Sequence, residues 1–271
     1  MALSVRGARI EWDSGGAPAA PPLVWGHGLT SSRAAEDSFP LVDHERVRQY
    51  ATVVRYDAHG HGASSALNEA ERGSWFELAL DQIELIDYLG IDQVIVGGAS
   101  MGAGTALHAA LELGGRVAGL VLAIPPTAWQ QRAPQVELYE QMAGIVEARG
   151  VEPLIAAGRE LPPPDPFAGS EATVAAYRER RAATLRSTDP ARLAANFRGA
   201  AYADLPALEI VSSITAPALV LAWTGDPSHP VSTAERLGES LPGVEVVISS
   251  TEAELATWTQ RVIDFLARLT H

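Results

Sequence analysis

The 271-residue sequence has no cysteine, which excludes disulfide bonds, thiolate catalysis and zinc sites built on thiolates. It has no lysine either: its 20 cationic residues are all arginine and face 33 acidic residues, for a net charge of −13. So acidic a chain has little with which to neutralise phosphates, and neither nucleic acid nor an anionic membrane is expected as a partner. No apolar run has the length of a signal peptide or a membrane span, so we expect a cytoplasmic protein.

The sequence does contain an alternation of apolar runs and amphipathic stretches. Its length suits one large α/β domain, or a core domain that carries an insertion. Short apolar runs rich in β-branched residues alternate with amphipathic stretches, a pattern typical of a parallel sheet covered by helices. We predict strands within residues 21–28, 51–62, 93–98 and 117–124, and helices over residues 74–90 and 101–113.

Residues 125–213 differ in composition from the rest of the chain. They hold much of its proline, including "LPPPDP" at 161–166, together with Arg- and Glu-rich amphipathic stretches and no convincing strand. We therefore predict a helical insertion over 125–213 in a core of residues 1–124 and 214–271. After the insertion we predict a strand within 216–226, a helix over 232–241, a strand over 244–250 and a final helix over 252–269.

Ser100 is the first candidate for chemistry. The stretch Gly98-Ala99-Ser100-Met101-Gly102 joins a predicted strand to a predicted helix. In this G-x-S-x-G context the serine occupies a sharp, strained turn, and side chains two residues to either side would collide with the neighbouring strand or helix. The pattern indicates a nucleophile, with an ordinary glycine-rich turn as the alternative.

Two backbone N–H groups are candidates for an oxyanion hole. The helix that follows Ser100 offers the N–H of Met101 and the positive end of its dipole. His27 and Gly28 end an earlier strand and place flexible backbone where a second donor is needed. That donor would be the N–H of Leu29.

The stretch Asp57-Ala58-His59-Gly60-His61-Gly62-Ala63-Ser64 follows the next strand. These motifs, their order and the long insertion resemble the α/β-hydrolase superfamily over nearly the whole chain. The resemblance implies a three-layer α/β fold, with a mostly parallel eight-stranded sheet flanked by helices and a helical lid after the sixth strand, matching residues 125–213. It also implies that His27, Asp57 and His61 mainly brace loops, and that His59 replaces the family's usual arginine.

The resemblance places the triad acid after the seventh strand, where Asp226 fits; a solvated turn aspartate before proline is the alternative. The order Ser, Asp, His then requires a histidine just past the last strand, but "SSTEAELATW" at 249–258 contains none. Glu252 could accept a proton there only if burial raised its pKa. A further possibility is that alanine has replaced a histidine, for example at position 253 or 256: the residues there are Ala253 and Ala256.

His229 is the remaining candidate for the base. It lies three residues past Asp226, in a loop over the carboxyl edge of the sheet where α/β sites lie; a capping or surface role is the alternative. The other histidines are expected elsewhere: His59 and His61 in loop hydrogen bonds, His108 pointing away from Ser100 or toward the insertion, His44 on a surface helix, and His271 at the end of the chain.

These residues predict a serine hydrolase that acts through Ser100 on a small ester-like or lactone-like acyl substrate, with an atypical or impaired triad. Two other readings stay open: an inactive, hydrolase-like ligand-binding protein, and a non-hydrolytic lyase, C–C-cleaving or cofactor-free enzyme. We expect a moderately hydrophobic small molecule as partner, no cofactor and no metal, and leave a homodimer open. Apolar residues of the insertion line a pocket or only pack the insertion onto the core: Trp129, Tyr139, Met142, Phe167 and Tyr177.

Overall fold

The computed structural model describes residues 1–18 and 21–269, so His271 and the last residues of the predicted core lie outside the described residues. Within that range the chain forms a sheet of eight strands. They are β1 (Ala2–Val5), β2 (Ala8–Gly16), β3 (Leu23–Gly26), β4 (Thr52–Tyr56), β5 (Val94–Ala99), β6 (Val117–Ala123), β7 (Ala218–Trp223) and β8 (Val244–Ser249).

The strand order is β1-β2-β4-β3-β5-β6-β7-β8. The pairs β1–β2 and β2–β4 are antiparallel, and every later pair is parallel. This confirms the expected mostly parallel eight-stranded sheet. The hairpin β1–β2 was not predicted individually. Burial along β2 alternates between one face and the other, a weaker signal than the continuous apolar runs of the central strands.

Twelve α-helices accompany the described strands. They are α1 (Arg33–Ser38), α2 (His44–Val47), α3 (Trp75–Tyr88), α4 (Met101–Leu113), α5 (Arg132–Arg149), α6 (Glu152–Glu160), α7 (Glu171–Ser187), α8 (Pro190–Ala201), α9 (Leu208–Val211), α10 (Val231–Ser240), α11 (Glu252–Leu255) and α12 (Trp258–Leu269). None of the described helices is long and apolar enough to cross a membrane.

The prediction of one final helix over 252–269 is wrong. The structure has α11 and α12 with a break at residues 256–257. At the break the Thr257 hydroxyl donates to the Glu254 carbonyl at 2.7 Å, and the Thr257 N–H bonds the same carbonyl. Side-chain bonding of this kind competes with the helical ladder, and the apolar periodicity alone does not reveal it.

Helices cover both faces of the sheet. One apolar cluster lies between the sheet and α3, α4 and α10, and a second lies between the sheet and α2 and α12. Every residue of β5 is buried. The carboxyl end of this strand is therefore well packed and shielded from water, and it holds the residues that follow it in place.

The expectation of His44 on a surface helix is also wrong. His44 is 5% exposed, and its ring meets Trp25 of β3 edge-on at a centroid distance of 5.2 Å. His44 and Val47 lie one turn apart in α2 and both face the core. A four-residue helix is too short for its buried face to be identified from periodicity.

The residues from 125 to 213, called here the helical segment, connect β6 to β7 and contain α5–α9. Helix α5 packs on α8 around a small cluster that includes Val146 and Phe197. Arg132, at the start of α5, is buried and donates to the carbonyls of Ala200 and Ala203 at the end of α8. These contacts join α5 and α8 into one packed unit.

Candidate active site

Ser100 stands at the turn between β5 and α4. Its backbone has φ 54° and ψ −112°, a conformation that non-glycine residues rarely adopt. Its N–H donates to the Ala123 carbonyl at the end of β6, at 2.9 Å, which helps to hold the strained turn in place. The side chain is half-buried and stands at the sheet edge where α/β proteins bind ligands.

Gly98 and Gly102 permit this turn because the backbone around them is crowded. A Cβ atom on Gly98 would lie 2.5 Å from the Gly26 carbonyl oxygen of β3. A Cβ atom on Gly102 would overlap that same oxygen. Helix α4 can approach β3 this closely only if both positions lack a side chain.

His229 lies between Ser100 and Asp226. Its Nε2 is 2.8 Å from Ser100 Oγ, and its Nδ1 is 2.7 Å from Asp226 Oδ2. With Asp226 ionised, Nδ1 carries the proton that the carboxylate accepts, and Nε2 is free to accept the Ser100 hydroxyl proton. The structure therefore brings the three residues grouped by the sequence into one hydrogen-bonded chain.

Asp226 is held by three donors. Oδ1 accepts from the Ser228 N–H at 2.9 Å, and Oδ2 accepts from both His229 Nδ1 and Trp223 Nε1, the latter at 3.0 Å. Burial by itself would raise the pKa of Asp226, but the electrostatic attraction of the His229 ring and these hydrogen bonds outweigh it and lower the pKa to about 2. Asp226 is therefore a carboxylate at any working pH.

The loop between β7 and α10 brings acid and base together. Gly225 has φ 78°, and the His229 N–H donates back to the Asp226 carbonyl, which closes a tight turn. By contrast, the residues after β8 form a capping box in which Thr251 and Glu254 bond each other's backbone. Glu252, a substitute base considered above, is exposed in that helix.

Gly28 places the loop after β3 beside Ser100: a Cβ atom on Gly28 would lie 3.7 Å from the Ser100 Cβ. The N–H groups of Leu29 and Met101 donate to no acceptor in the described part of the chain. The Gly28 carbonyl accepts from His27 Nδ1 at 2.8 Å and from the Ser31 N–H at 3.0 Å. Since a trans peptide is planar, fixing this carbonyl also fixes the direction of the Leu29 N–H.

His27 also links this loop to the next one, because its Nε2 accepts the Ala58 N–H at 3.0 Å. Asp57 accepts the N–H groups of Arg33 and Ala63 at 2.9 and 3.0 Å. Although burial opposes it, these bonds lower the pKa of Asp57. Both side chains thus join loops that surround Ser100.

His61 lies under the same loop, with Nε2 2.6 Å from the Leu29 carbonyl oxygen and Nδ1 3.0 Å from the His59 carbonyl oxygen. Burial, together with the nearby His27, lowers the pKa of His61 to about 3. The ring is therefore neutral and has one N–H. We place it on Nε2, because that contact is shorter.

Comparison with known proteins identifies the family to which this fold belongs. Residues 23–255 match the model of the alpha/beta hydrolase family. The chain belongs to the alpha/beta hydrolase family. No curated protein matches this chain in sequence.

Many solved structures share the fold of this chain. The enol-lactonase from Burkholderia xenovorans LB400 has a TM-score of 0.79 at 22% identity, over 98% of this chain and 100% of that chain. A thermophilic esterase from Thermogutta terrifontis has a TM-score of 0.78 at 20% identity, over 100% and 99% of the two chains. Est816, described as an N-acyl homoserine lactone degrading enzyme, has a TM-score of 0.69 at 23% identity, over 99% and 98%.

A polar cavity of about 240 Å³ adjoins the loop that contains Leu29. Its lining includes hydroxyl side chains from that loop and from the junction of α7 and α8: Thr30, Ser31, Ser32, Thr184, Ser187 and Thr188. Among residues 1–18 and 21–269, no group of three or more His, Asp or Glu side chains is arranged to hold a metal ion.

Several of the apolar residues for which a pocket role and a packing role were both open contact other rings. Tyr139 stacks on Phe197, and Phe167 stacks on Tyr177 and meets Trp223 edge-on. His108 forms no hydrogen bond with Ser100, His229 or Asp226. Its Nε2 lies 2.9 Å from the Asp204 carbonyl oxygen of the helical segment.

Sequence reasoning missed Trp223 and Asp165. Trp223 bonds the carboxylate of Asp226, as described above. Asp165, in the "LPPPDP" stretch, accepts from the Thr224 hydroxyl at 2.6 Å, and its N–H donates to the Thr224 carbonyl. For Trp223 the only signal was its place three residues before Asp226; for Asp165 there was no signal in the sequence.

Proposed function

We propose that this protein is a serine hydrolase that cleaves small esters or lactones, with Ser100 as nucleophile, His229 as base and Asp226 as acid. The observation that carries the proposal is the continuous chain from Ser100 Oγ through His229 to Asp226, at 2.8 and 2.7 Å. Such a chain can take a proton from serine and return it to a leaving group. The base comes from the acid's own loop, so the triad is atypical in its origin.

In this proposal His229 Nε2 takes the Ser100 proton while Oγ attacks the carbonyl carbon of the substrate. The charge that develops on the carbonyl oxygen is stabilised by the N–H groups of Leu29 and Met101. Asp226 stabilises the imidazolium, which then gives its proton to the departing alkoxide oxygen. A water molecule, deprotonated by His229, attacks the acyl-enzyme and releases Ser100. In a lactone the alcohol stays attached to the acyl group.

Two observations support esters and lactones as substrates. Three similar structures are described as an enol-lactonase, an esterase and a lactone degrading enzyme. The N–H groups of Leu29 and Met101 donate to no acceptor in the described part of the chain, so both are available to the carbonyl oxygen of an ester or lactone. We propose further that the helical segment acts as a lid over a core of residues 1–124 and 214–271, and that His27, Asp57 and His61 brace the site.

The proposal is tested by labelling and burst kinetics. A fluorophosphonate should modify wild-type protein at Ser100, and p-nitrophenyl acetate should give a burst of one equivalent of nitrophenolate. Ser100→Ala should abolish both, and His229→Asn should lower kcat/KM by about a thousand-fold or more, because no base remains. His108→Asn, which alters a histidine outside the chain of hydrogen bonds, is the matched control and should retain activity.

The alternatives predict different results. Ligand-dependent stabilisation with neither label nor burst would indicate an inactive binding protein. Turnover of a substrate without an acyl-enzyme, and with full activity in Ser100→Ala, would indicate the non-hydrolytic chemistry and overturn the proposal.

A further inference from the structure

The oxygen of Asp226 that faces the base has a second partner. Asp226 Oδ2 accepts the His229 Nδ1 proton at 2.7 Å and the Trp223 indole N–H at 3.0 Å. The proton transfers described above use the first of these bonds only. A buried indole N–H usually finds a hydrogen-bond partner, and here that partner is the oxygen of Asp226 that also bonds His229.

The Trp223 ring is fixed by its neighbours. It is 5% exposed. Trp258, at the start of α12, stacks on it with a centroid distance of 5.9 Å and an interplanar angle of 22°. Phe167, from the helical segment, meets it edge-on at 5.4 Å, and His229 meets it edge-on at 6.3 Å. With neighbours from three separate parts of the chain around it, the indole has little freedom to turn its N–H away from Asp226.

Trp258 is itself anchored. Its indole N–H donates to Ser249 Oγ, at the end of β8, at 2.9 Å, and the side chain is fully buried. The carboxyl end of β8, where the family's histidine was expected, is thus occupied by an aromatic pair. One member of the pair bonds the sheet and the other bonds the triad acid.

We propose that Trp223 is a positioning residue for the triad: its indole N–H holds Asp226 Oδ2 in line with His229 and withdraws charge from the oxygen that faces the imidazole. This inference rests on the proposed function. The Ser228 N–H holds Oδ1, so the carboxylate is fixed at both oxygens. Without the indole, Oδ2 would be held only by the group whose proton it must orient.

The second donor also has an electrostatic effect. A hydrogen bond to Oδ2 stabilises the carboxylate and weakens its attraction for the imidazolium. Removing that donor makes the attraction of the carboxylate for the protonated imidazole stronger. The other acid beside this loop, Asp165, bonds the hydroxyl of Thr224.

The test is Trp223→Phe, with Trp258→Phe as the matched control. Both remove an indole N–H from the same stacked pair, but only the first removes a bond to Asp226. For Trp223→Phe we expect kcat to fall about tenfold with KM nearly constant, since the lost bond is to a charged group. We also expect the limb of the kcat/KM profile that reports the base to move to higher pH by about half a unit or more. Trp258→Phe should leave that limb in place.

Several outcomes would overturn the inference. Identical pH profiles and kcat values for wild type and Trp223→Phe would do so while the proposed function stands. Failure of the wild type to label at Ser100 or turn over would overturn both. If Trp223→Phe does not fold, wild type grown on 5-fluorotryptophan, whose indole is a stronger donor, should move the same limb to lower pH, and an unmoved limb would refute the role.

Discussion

At the scale of single residues, Asp226 and His229 are separated by two residues and a tight turn. An imidazole can meet a carboxylate at that spacing only if the backbone reverses, which the left-handed conformation of Gly225 at the start of the turn assists. The sequence places both residues in one loop. It contains no information on whether the imidazole turns toward Ser100 or toward solvent.

Asp226→Asn tests the acid. An amide at this position cannot hold the Nδ1–H tautomer as a carboxylate does, so kcat should fall about ten-thousand-fold, as for the equivalent change in a serine protease. Steady-state kinetics on p-nitrophenyl acetate measures the loss, and circular dichroism checks the fold. Asp165→Asn, which alters the acid that bonds Thr224 of the same loop, should stay within a few-fold of wild type. Equal effects of the two changes would contradict the role of Asp226.

At the scale of elements, the junction of β3, β5 and α4 sets the position of Ser100. Gly102→Ala should destabilise the protein by roughly 3 kcal/mol or more, because the new Cβ overlaps the Gly26 carbonyl of β3 and neither backbone can move freely. Urea unfolding measures the change.

Gly144→Ala is the matched control. Gly144 lies inside α5, and a Cβ atom there would have nothing within 4 Å. The protein should gain up to about 1 kcal/mol from the higher helix propensity of alanine. A Gly102→Ala variant as stable as Gly144→Ala would show that α4 can move away from β3.

Much of this element structure could be predicted from the sequence. The predicted helix at 101–113 matches α4, and the strand, turn and helix around Ser100 follow from apolar runs and glycine spacing. The broken final helix, the buried His44 and the indole of Trp223 could not be predicted. Each depends on a contact between distant parts of the chain or on one side-chain hydrogen bond. Neither kind of interaction produces a periodic pattern in the sequence. The catalytic roles of Ser100, His229 and Asp226 stay predictions.

At the scale of the whole molecule, buried neutral histidines make stability depend on pH. Burial lowers the pKa of His59, His61 and His108, that of His61 to about 3. In the unfolded chain these groups take up protons below about pH 6.5. Unfolding therefore binds protons, and stability falls as the pH drops from about 6.5. Asp81 has the opposite effect on stability as the pH falls, because burial raises its pKa to about 6.

His61→Asn isolates one of these contributions. The free energy of unfolding of wild type should fall more than that of the variant between pH 6 and pH 5, by about 1.2 kcal/mol. Urea unfolding at several pH values measures both slopes, whatever the absolute stability of the variant. Parallel curves would mean that His61 is protonated in the folded protein.

The closeness of Asp226 to His229 along the chain has a consequence for how the molecule can be divided. Pro242 and Gly243 form an exposed turn between α10 and β8. Every residue proposed here to touch the substrate's reacting atoms precedes that turn, whereas a histidine after β8 would follow it. A split at this turn yields one fragment with the complete proposed catalytic set and a second that supplies the last strand and Trp258. Their reassembly would switch on esterase activity, as in a two-fragment reporter.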